Sequence, residues 1–265
     1  MSDPRVRQAV NQPPSGDRSR HGATAPDVTV RAPGRLARFR VRALRVTVNA
    51  LFALLTRPTY RGLENIPASG PCLLVFNHVS NLDPPLIFGQ IKRHDLAALV
   101  ASEYRANGFY RRAIEWAGGS WIRRGASDRA ALRFAVNAMQ QGWIVGIAPE
   151  GGRSKSGQLR DGKPGPSFLA IHAGAPLLPV GLTGTGSITA SLKRLRRAPI
   201  SVTFGPLFTL PAQQAGSHKQ HLQECTTEIM CQLAALLPAD ARGVYADSPR
   251  LHELLTDQRH DRAFA

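Results

Sequence analysis

In Asn77-His78-Val79-Ser80-Asn81-Leu82-Asp83 an imidazole precedes a carboxylate by five residues, directly after the apolar run Cys72 to Phe76. An imidazole titrates near neutral pH and can take a proton from a hydroxyl. An aspartate on its other ring nitrogen fixes the tautomer and stabilises the imidazolium. Along a helix a five-residue step turns the second side chain roughly 140° from the first. The two groups therefore meet only in a turn between strand and helix, and Pro84 and Pro85 suit the opening of that helix.

Three further segments carry residue types that could do chemistry. Ala148-Pro149-Glu150-Gly151-Gly152-Arg153-Ser154 follows the strand-like run Trp143 to Ile147. Its glycines let the backbone approach a ligand closely, and an arginine there can hold a phosphate through two parallel hydrogen bonds. A glycine turn with a solvated arginine satisfies the same pattern. Gly118-Gly119-Ser120-Trp121-Ile122-Arg123-Arg124-Gly125 again sets arginines after a short apolar stretch. Ala175-Pro176-Leu177-Leu178-Pro179-Val180 is apolar, and its two prolines argue against a central strand.

Together, in this order, the four segments resemble the motif blocks of the glycerolipid acyltransferases, the family of the 1-acylglycerol-3-phosphate (lysophosphatidic acid) acyltransferases. The first block is matched by Asn77, His78 and Asp83. In the second, Trp121 and Ile122 fit, Arg124 takes the arginine place, and Arg123 stands where the family has an acid. The third is matched by Pro149, Glu150, Gly151, Arg153 and Ser154, with departures at Ala148 and Gly152. The fourth is met by Pro179 and Val180. The resemblance runs from about Tyr60 to Gly205.

The resemblance implies acyl transfer. His78 acts as the general base on an acceptor hydroxyl and Asp83 orients it. The substrate-binding positions are Arg124, Glu150, Gly151, Arg153, Ser154 and Pro179, the two arginines toward the acceptor's phosphate. The partners implied are a lysophospholipid acceptor, an acyl-CoA or acyl-carrier protein thioester as co-substrate, and an anionic membrane surface, with no other cofactor. A thioester is already activated, and no Gly-x-Ser-x-Gly elbow occurs in the chain. The alternative reading is the same transfer onto another lysolipid, such as a lyso-ornithine lipid or lysophospholipid. The departures at Ala148, Gly152 and Arg123 bear on that choice of head group.

Composition suits such an enzyme. A chain of 265 residues with 43% hydrophobic content can bury one sizeable core. Cys72, Cys225 and Cys231 offer neither a disulfide framework nor metal spacing and suit a reducing compartment. Metal binding at His78 and Asp83 would need more ligands than the neighbouring sequence supplies. The balance of 34 basic to 18 acidic residues calls for an anionic partner. Nucleic acid fits poorly, with 6% aromatic residues and no zinc or helix-turn-helix signature around Lys193-Arg194-Leu195-Arg196-Arg197. A lipid-binding scaffold without activity would have little use for His78 with Asp83.

The elements that must position these residues follow from periodicity. Residues 1–34 are rich in Pro, Gly, Ser, Gln and Arg, lack the apolar core of a secretory signal and read as a disordered tail. Residues 35–59 read as a basic amphipathic helix with Ala37, Val41, Leu44, Val48, Leu51, Phe52 and Leu55 in one stripe and Arg38, Arg42, Arg45 and Asn49 opposite. Its apolar part is too short to span a bilayer, so it either lies in the interface at the cytoplasmic face of a membrane as a peripheral anchor or docks its apolar face on the catalytic domain. Residues 60–240 form the acyltransferase domain and 241–265 a polar C-terminal tail. Strands are expected near 72–76, 96–101, 120–123, 143–148, 177–182 and 200–204. Helices are expected after Pro84, near 107–117, from Ser127 to about Gln141, near 166–173 and over 218–237. The alternation predicts a single α/β domain with a mixed, largely parallel sheet flanked by helices and the motifs at strand ends.

Overall fold

The computed structural model describes residues 34–101, 119–122, 129–211 and 217–263. The N-terminal tail, the helix expected near 107–117, the Ser127 cap and Arg123 and Arg124 lie outside these residues. The strands are β1 (Thr56–Arg61), β2 (Cys72–Phe76), β3 (Leu96–Ala101), β4 (Gly119–Ile122), β5 (Ile144–Ile147), β6 (Leu177–Thr183) and β7 (Ala198–Phe204). The helices are α1 (Arg35–Leu55), α2 (Asp83–Gln90), α3 (Arg129–Gln140), α4 (Gly165–Ala173), α5 (Ile188–Lys193), α6 (His218–Ala235) and α7 (Pro249–Ala263).

The sheet order is β1-β7-β6-β2-β5-β3-β4. Strands β2 to β6 are mutually parallel, whereas β7 runs antiparallel to β6 and β1 parallel to β7. This is the mixed, largely parallel α/β sheet expected. Side-chain alternation along β2 divides the core between its faces. Leu73 and Val75 join Val145, Leu177 and the buried sides of α3, α4 and α6. Cys72, Leu74 and Phe76 join Leu178, Val180 and Phe52 of α1 on the other face. Along α3 the buried seam is Ala131, Ala135, Ala138 and Met139, with Leu132 and Val136 half-buried at its margin.

Four expectations need correction. Strand β6, with Pro179 in it, is central, lying between β2 and β7. The Pro179 carbonyl accepts from the Gly205 N–H at 2.8 Å, just beyond the last paired residue of β7. The missing N–H faces that same side, so no bond to β2 is lost. The boundary drawn between residues 59 and 60 falls inside β1, which is paired along its whole length with β7. The supposed C-terminal tail is folded: α7 packs on α6 through buried Leu251 and the Arg250 bonds to Glu228.

The fourth correction concerns α1. Arg45, placed on the polar side of the helical wheel, is buried on the docking face with Val41 and Phe52. Its guanidinium donates to the carbonyls of Lys92 (2.8 Å) and Arg93, just past the end of α2, and lies 5.1 Å from the Phe88 ring centroid. Asn49 adds a bond to the Gly89 carbonyl at 2.9 Å. A cation bound to carbonyls at a helix C-terminus is favourable both as a hydrogen-bond donor and toward the helix dipole. The opposite face of α1 leaves Leu36, Phe39, Val46, Leu51 and Leu54 exposed. No helix among the described residues is long and apolar enough to cross a membrane. Arg45→Ala should destabilise the protein by about 2 kcal/mol in urea unfolding, the range for lost charge-assisted hydrogen bonds. Replacement of exposed Arg42 should change stability by less than about 0.5 kcal/mol.

Candidate active site

The first motif forms where β2 ends. Asn77, 2% exposed, exchanges two hydrogen bonds with Leu182 of β6, Nδ2 to the carbonyl at 2.9 Å and Oδ1 from the N–H at 2.7 Å. The amide thus extends the β2–β6 pairing by one side chain and fixes the direction in which the chain leaves the sheet. The next residue, His78, is turned toward the start of α2.

Asp83 is the first residue of α2 and is fully buried. Its Oδ2 accepts from the N–H groups of Val79 and Ser80, each at 2.7 Å, and lies 2.9 Å from His78 Nδ1. An acceptor-only carboxylate leaves the donor role to Nδ1, so the ring carries its proton there and Nε2 is an acceptor without a partner among the described residues. The start of α2 adds a favourable field for the carboxylate. Phe76 meets the imidazole edge-to-face, with centroids 5.7 Å apart at 73°. The His78 side chain remains 15% exposed, which leaves it reachable from outside.

The third motif, entered from β5, grips the His78 backbone. Glu150 Oε1 accepts from the His78 N–H at 3.1 Å, and the Ser154 N–H donates to the His78 carbonyl at 2.7 Å. Gly151 adopts φ +68°, a left-handed conformation that a side chain would strain. Glu150 is itself buried and tied to Arg160. Its Oε2 accepts from the Arg160 N–H at 3.2 Å and from Nε at 3.5 Å, and Arg160 Nη2 reaches the Gly152 carbonyl at 2.6 Å. The segment flanking Arg160 is in turn held by two 3₁₀ turns, Ala239–Ala241 and Gly243–Tyr245: the Leu159 N–H donates to the Ala241 carbonyl, and the Gly162 N–H donates to the Tyr245 hydroxyl at 2.9 Å.

The sequence-predicted positions are thus sorted by the fold. His78, Asp83, Glu150, Gly151 and Ser154 come together, and Arg124 lies outside the described residues. Arg153 is exposed. Ser154 is buried, with its hydroxyl donating to the Gln158 carbonyl at 2.7 Å, so it braces the loop. Pro179 is buried in β6 against Gly205. Arg160 and Tyr245 escaped sequence reasoning because their contacts are made across loops and follow no local spacing. An open cleft of about 640 Å³ lies behind the loop between Arg160, Lys163 and Val244, and His78 is not among its lining residues.

Known proteins resemble this chain in sequence and in fold. Residues 57–183 match the family model described as Acyltransferase. A 1-acyl-sn-glycerol-3-phosphate acyltransferase of Borreliella burgdorferi is 30% identical over 128 residues, covering 48% of this chain and 51% of that protein. A chloroplastic enzyme of the same name from Brassica napus is 32% identical over 135 residues, 48% of this chain and 38% of its own. The chain therefore matches about half or less of the length of these relatives. The crystal structure of the 1-acyl-sn-glycerophosphate acyltransferase from Thermotoga maritima superposes with a TM-score of 0.54, covering 72% of this chain and 78% of that one at 23% identity. That likeness establishes a shared fold.

Burial raises the Glu150 carboxyl above the ordinary glutamate value, against the opposing pull of the His78 and Arg160 donors. The folded chain therefore binds this proton more tightly than the unfolded chain. Glu150→Gln removes one of two acceptor oxygens and should cost about 1–3 kcal/mol near neutrality. The stability gap between wild type and variant should widen as the pH falls through the raised value and level off below the ordinary one. Paired denaturation curves across that range measure it, and a gap that narrows in acid would show the donors outweighing burial.

Proposed function

We propose that this chain, whose residues 57–183 match the Acyltransferase family model, is a glycerolipid acyltransferase that acylates the free hydroxyl of lysophosphatidic acid from a thioester donor to give phosphatidic acid. The donor is acyl-CoA or acyl-carrier protein. The observation that carries the reading is the His78 ring, bonded to Asp83 through Nδ1 at 2.9 Å and pinned by both of its backbone groups to the Glu150–Ser154 loop. That arrangement leaves Nε2, on a side chain 15% exposed, to act as the base.

As the acceptor oxygen attacks the thioester carbonyl, Nε2 takes the hydroxyl proton. The carbon–sulfur bond then breaks and the departing thiolate receives the proton from the imidazolium. Asp83 stabilises the imidazolium while it exists, and the two backbone donors on Oδ2 keep the carboxylate oriented. No covalent enzyme intermediate is needed. Burial pushes the Cys72 thiol up to about 12 and raises those of Cys225 and Cys231, so none is poised as a thiolate nucleophile. Arg153, exposed at the edge of the loop, is assigned to the acceptor's phosphate together with Arg124. Glu150 serves by bracing the His78 backbone.

The acceptor dissolves in a bilayer, so the site must reach one. The outward apolar face of α1, with Leu36, Phe39, Val46 and Leu54 exposed among arginines, supports peripheral docking on the anionic cytoplasmic surface of a membrane. Thiol release from acyl-CoA, measured with and without lysophosphatidic acid and with the lipid product identified, tests the reaction. Wild type should make phosphatidic acid only with the acceptor present, and His78→Ala should lose about 10²–10⁴ in rate. Arg153→Ala should raise KM more than it lowers kcat, and should scarcely affect a lysolipid lacking a terminal phosphate. Equal turnover by His78→Ala would remove His78 from the mechanism.

A further inference from the structure

The segment Lys193-Arg194-Leu195-Arg196-Arg197 takes no part in the chemistry above, yet its conformation is unusual. The Leu195 N–H bonds the Leu192 carbonyl at 2.9 Å and the Arg196 N–H bonds the Ser191 carbonyl at 2.9 Å. This pattern closes α5 with a Schellman turn whose left-handed residue is Leu195, at φ +53°. Glycine is the favoured residue there, because a side chain strains the left-handed conformation. Instead the position holds a large apolar side chain that is 98% exposed. Single exposed leucines are ordinary, but folding does not favour one at this backbone angle.

The surroundings of Leu195 point to its partner. Arg197 donates to the carbonyls of Ala53 and Thr56 (2.6 Å), so the turn is clamped to the C-terminal end of α1. There Leu51 is 52% and Leu54 71% exposed. Lys193, Arg194 and Arg196 are exposed around the tip, and neither residues 35–61 nor residues 188–205 contain an acidic side chain. The register places this patch at the active-site end of the sheet. Because β7 runs antiparallel to β6 and Thr56 pairs with Ala198, the starts of β1 and β7 lie at the strand ends from which His78 and Glu150 emerge.

We propose that the Leu195 turn is a second membrane anchor, its leucine entering the acyl region of an anionic bilayer while Lys193, Arg194 and Arg196 stay at the lipid phosphates. Together with Leu51 and Leu54 it holds the site end of the sheet against the surface from which the acceptor is drawn. An apolar tip ringed by cations matches the interface of anionic lipid, where both parts are satisfied at once. A second copy of the chain would bring two cationic patches together. The inference rests on the reading that the protein works at a membrane, and its test needs neither donor nor acceptor.

The three native cysteines are buried, so a polarity-sensitive fluorophore can be placed selectively on Leu195→Cys and, as a control, on Leu207→Cys. The seven residues of β7 separate these positions by roughly 23 Å. With vesicles of phosphatidylglycerol and phosphatidylcholine, the label at 195 should shift to the blue and be quenched by brominated acyl chains, while the label at 207 should do neither. Leu195→Gly, which suits the turn, should keep or raise the melting temperature while weakening vesicle partitioning about tenfold. An unshifted label at 195, undiminished partitioning of Leu195→Gly, or a shift produced by nucleic acid and not by vesicles would overturn the proposal. If the wild type makes phosphatidic acid while the label stays unshifted, this inference alone fails. If the label inserts and no lysophosphatidic acid is acylated, the anchor stands and the proposed reaction fails.

Discussion

One carboxylate oxygen organises the site. Asp83 Oδ2 accepts from the Val79 and Ser80 N–H groups and from His78 Nδ1 within 2.7–2.9 Å, at the first residue of a helix and out of contact with solvent. Burying a charge is unfavourable unless donors replace its water. Here the backbone of the turn supplies two of them and the imidazole the third. The turn, the helix start and the histidine tautomer therefore stand or fall together. The sheet contributes the entry direction, through Asn77 bridging β2 to β6.

Around that centre lies a chain of braces running away from the chemistry. Glu150 holds the His78 N–H, Arg160 holds Glu150, and the turns after Pro238 hold the segment that carries Arg160. The buried Glu150 carboxylate has lost water and requires these donors, while the Arg160 side chain itself stays half exposed. Such a chain positions a base to within fractions of an ångström, the tolerance at which proton transfer is effective. It also explains why the C-terminal segment is folded: α7, docked through Leu251 and the Arg250–Glu228 pair, secures the outermost link.

Much of this was legible in the sequence where contacts are local or side chains are uniformly apolar. Five of the parallel strands announce themselves as short apolar runs, and the His78–Asp83 contact spans five residues, so type and spacing suffice. Strand β1 was missed because Thr56–Arg61 sits at the sheet edge and alternates exposed, polar and half-buried positions. Helix α7 gives little signal because its composition is polar and its docking depends on buried Leu251, half-buried Leu254 and Leu255 and an ion pair. Arg45 misled because a helical wheel cannot show that carbonyls at the end of α2 await a cation. Pro179 misled because the bond it cannot make lies beyond the end of β7. Arg160 left no signal, its role arising from a loop closing on itself.

The central claim is that the fold holds His78 in one tautomer with Nε2 bare toward the acceptor. Long-range proton–nitrogen correlation spectra of ¹⁵N-labelled protein, with the His78 signals assigned by their loss in His78→Gln, read that tautomer directly. In the neutral ring the account predicts a protonated, pyrrole-like Nδ1 and an unprotonated, pyridine-like Nε2. The reverse assignment, with the proton on Nε2, would leave no base facing the hydroxyl and would contradict the account.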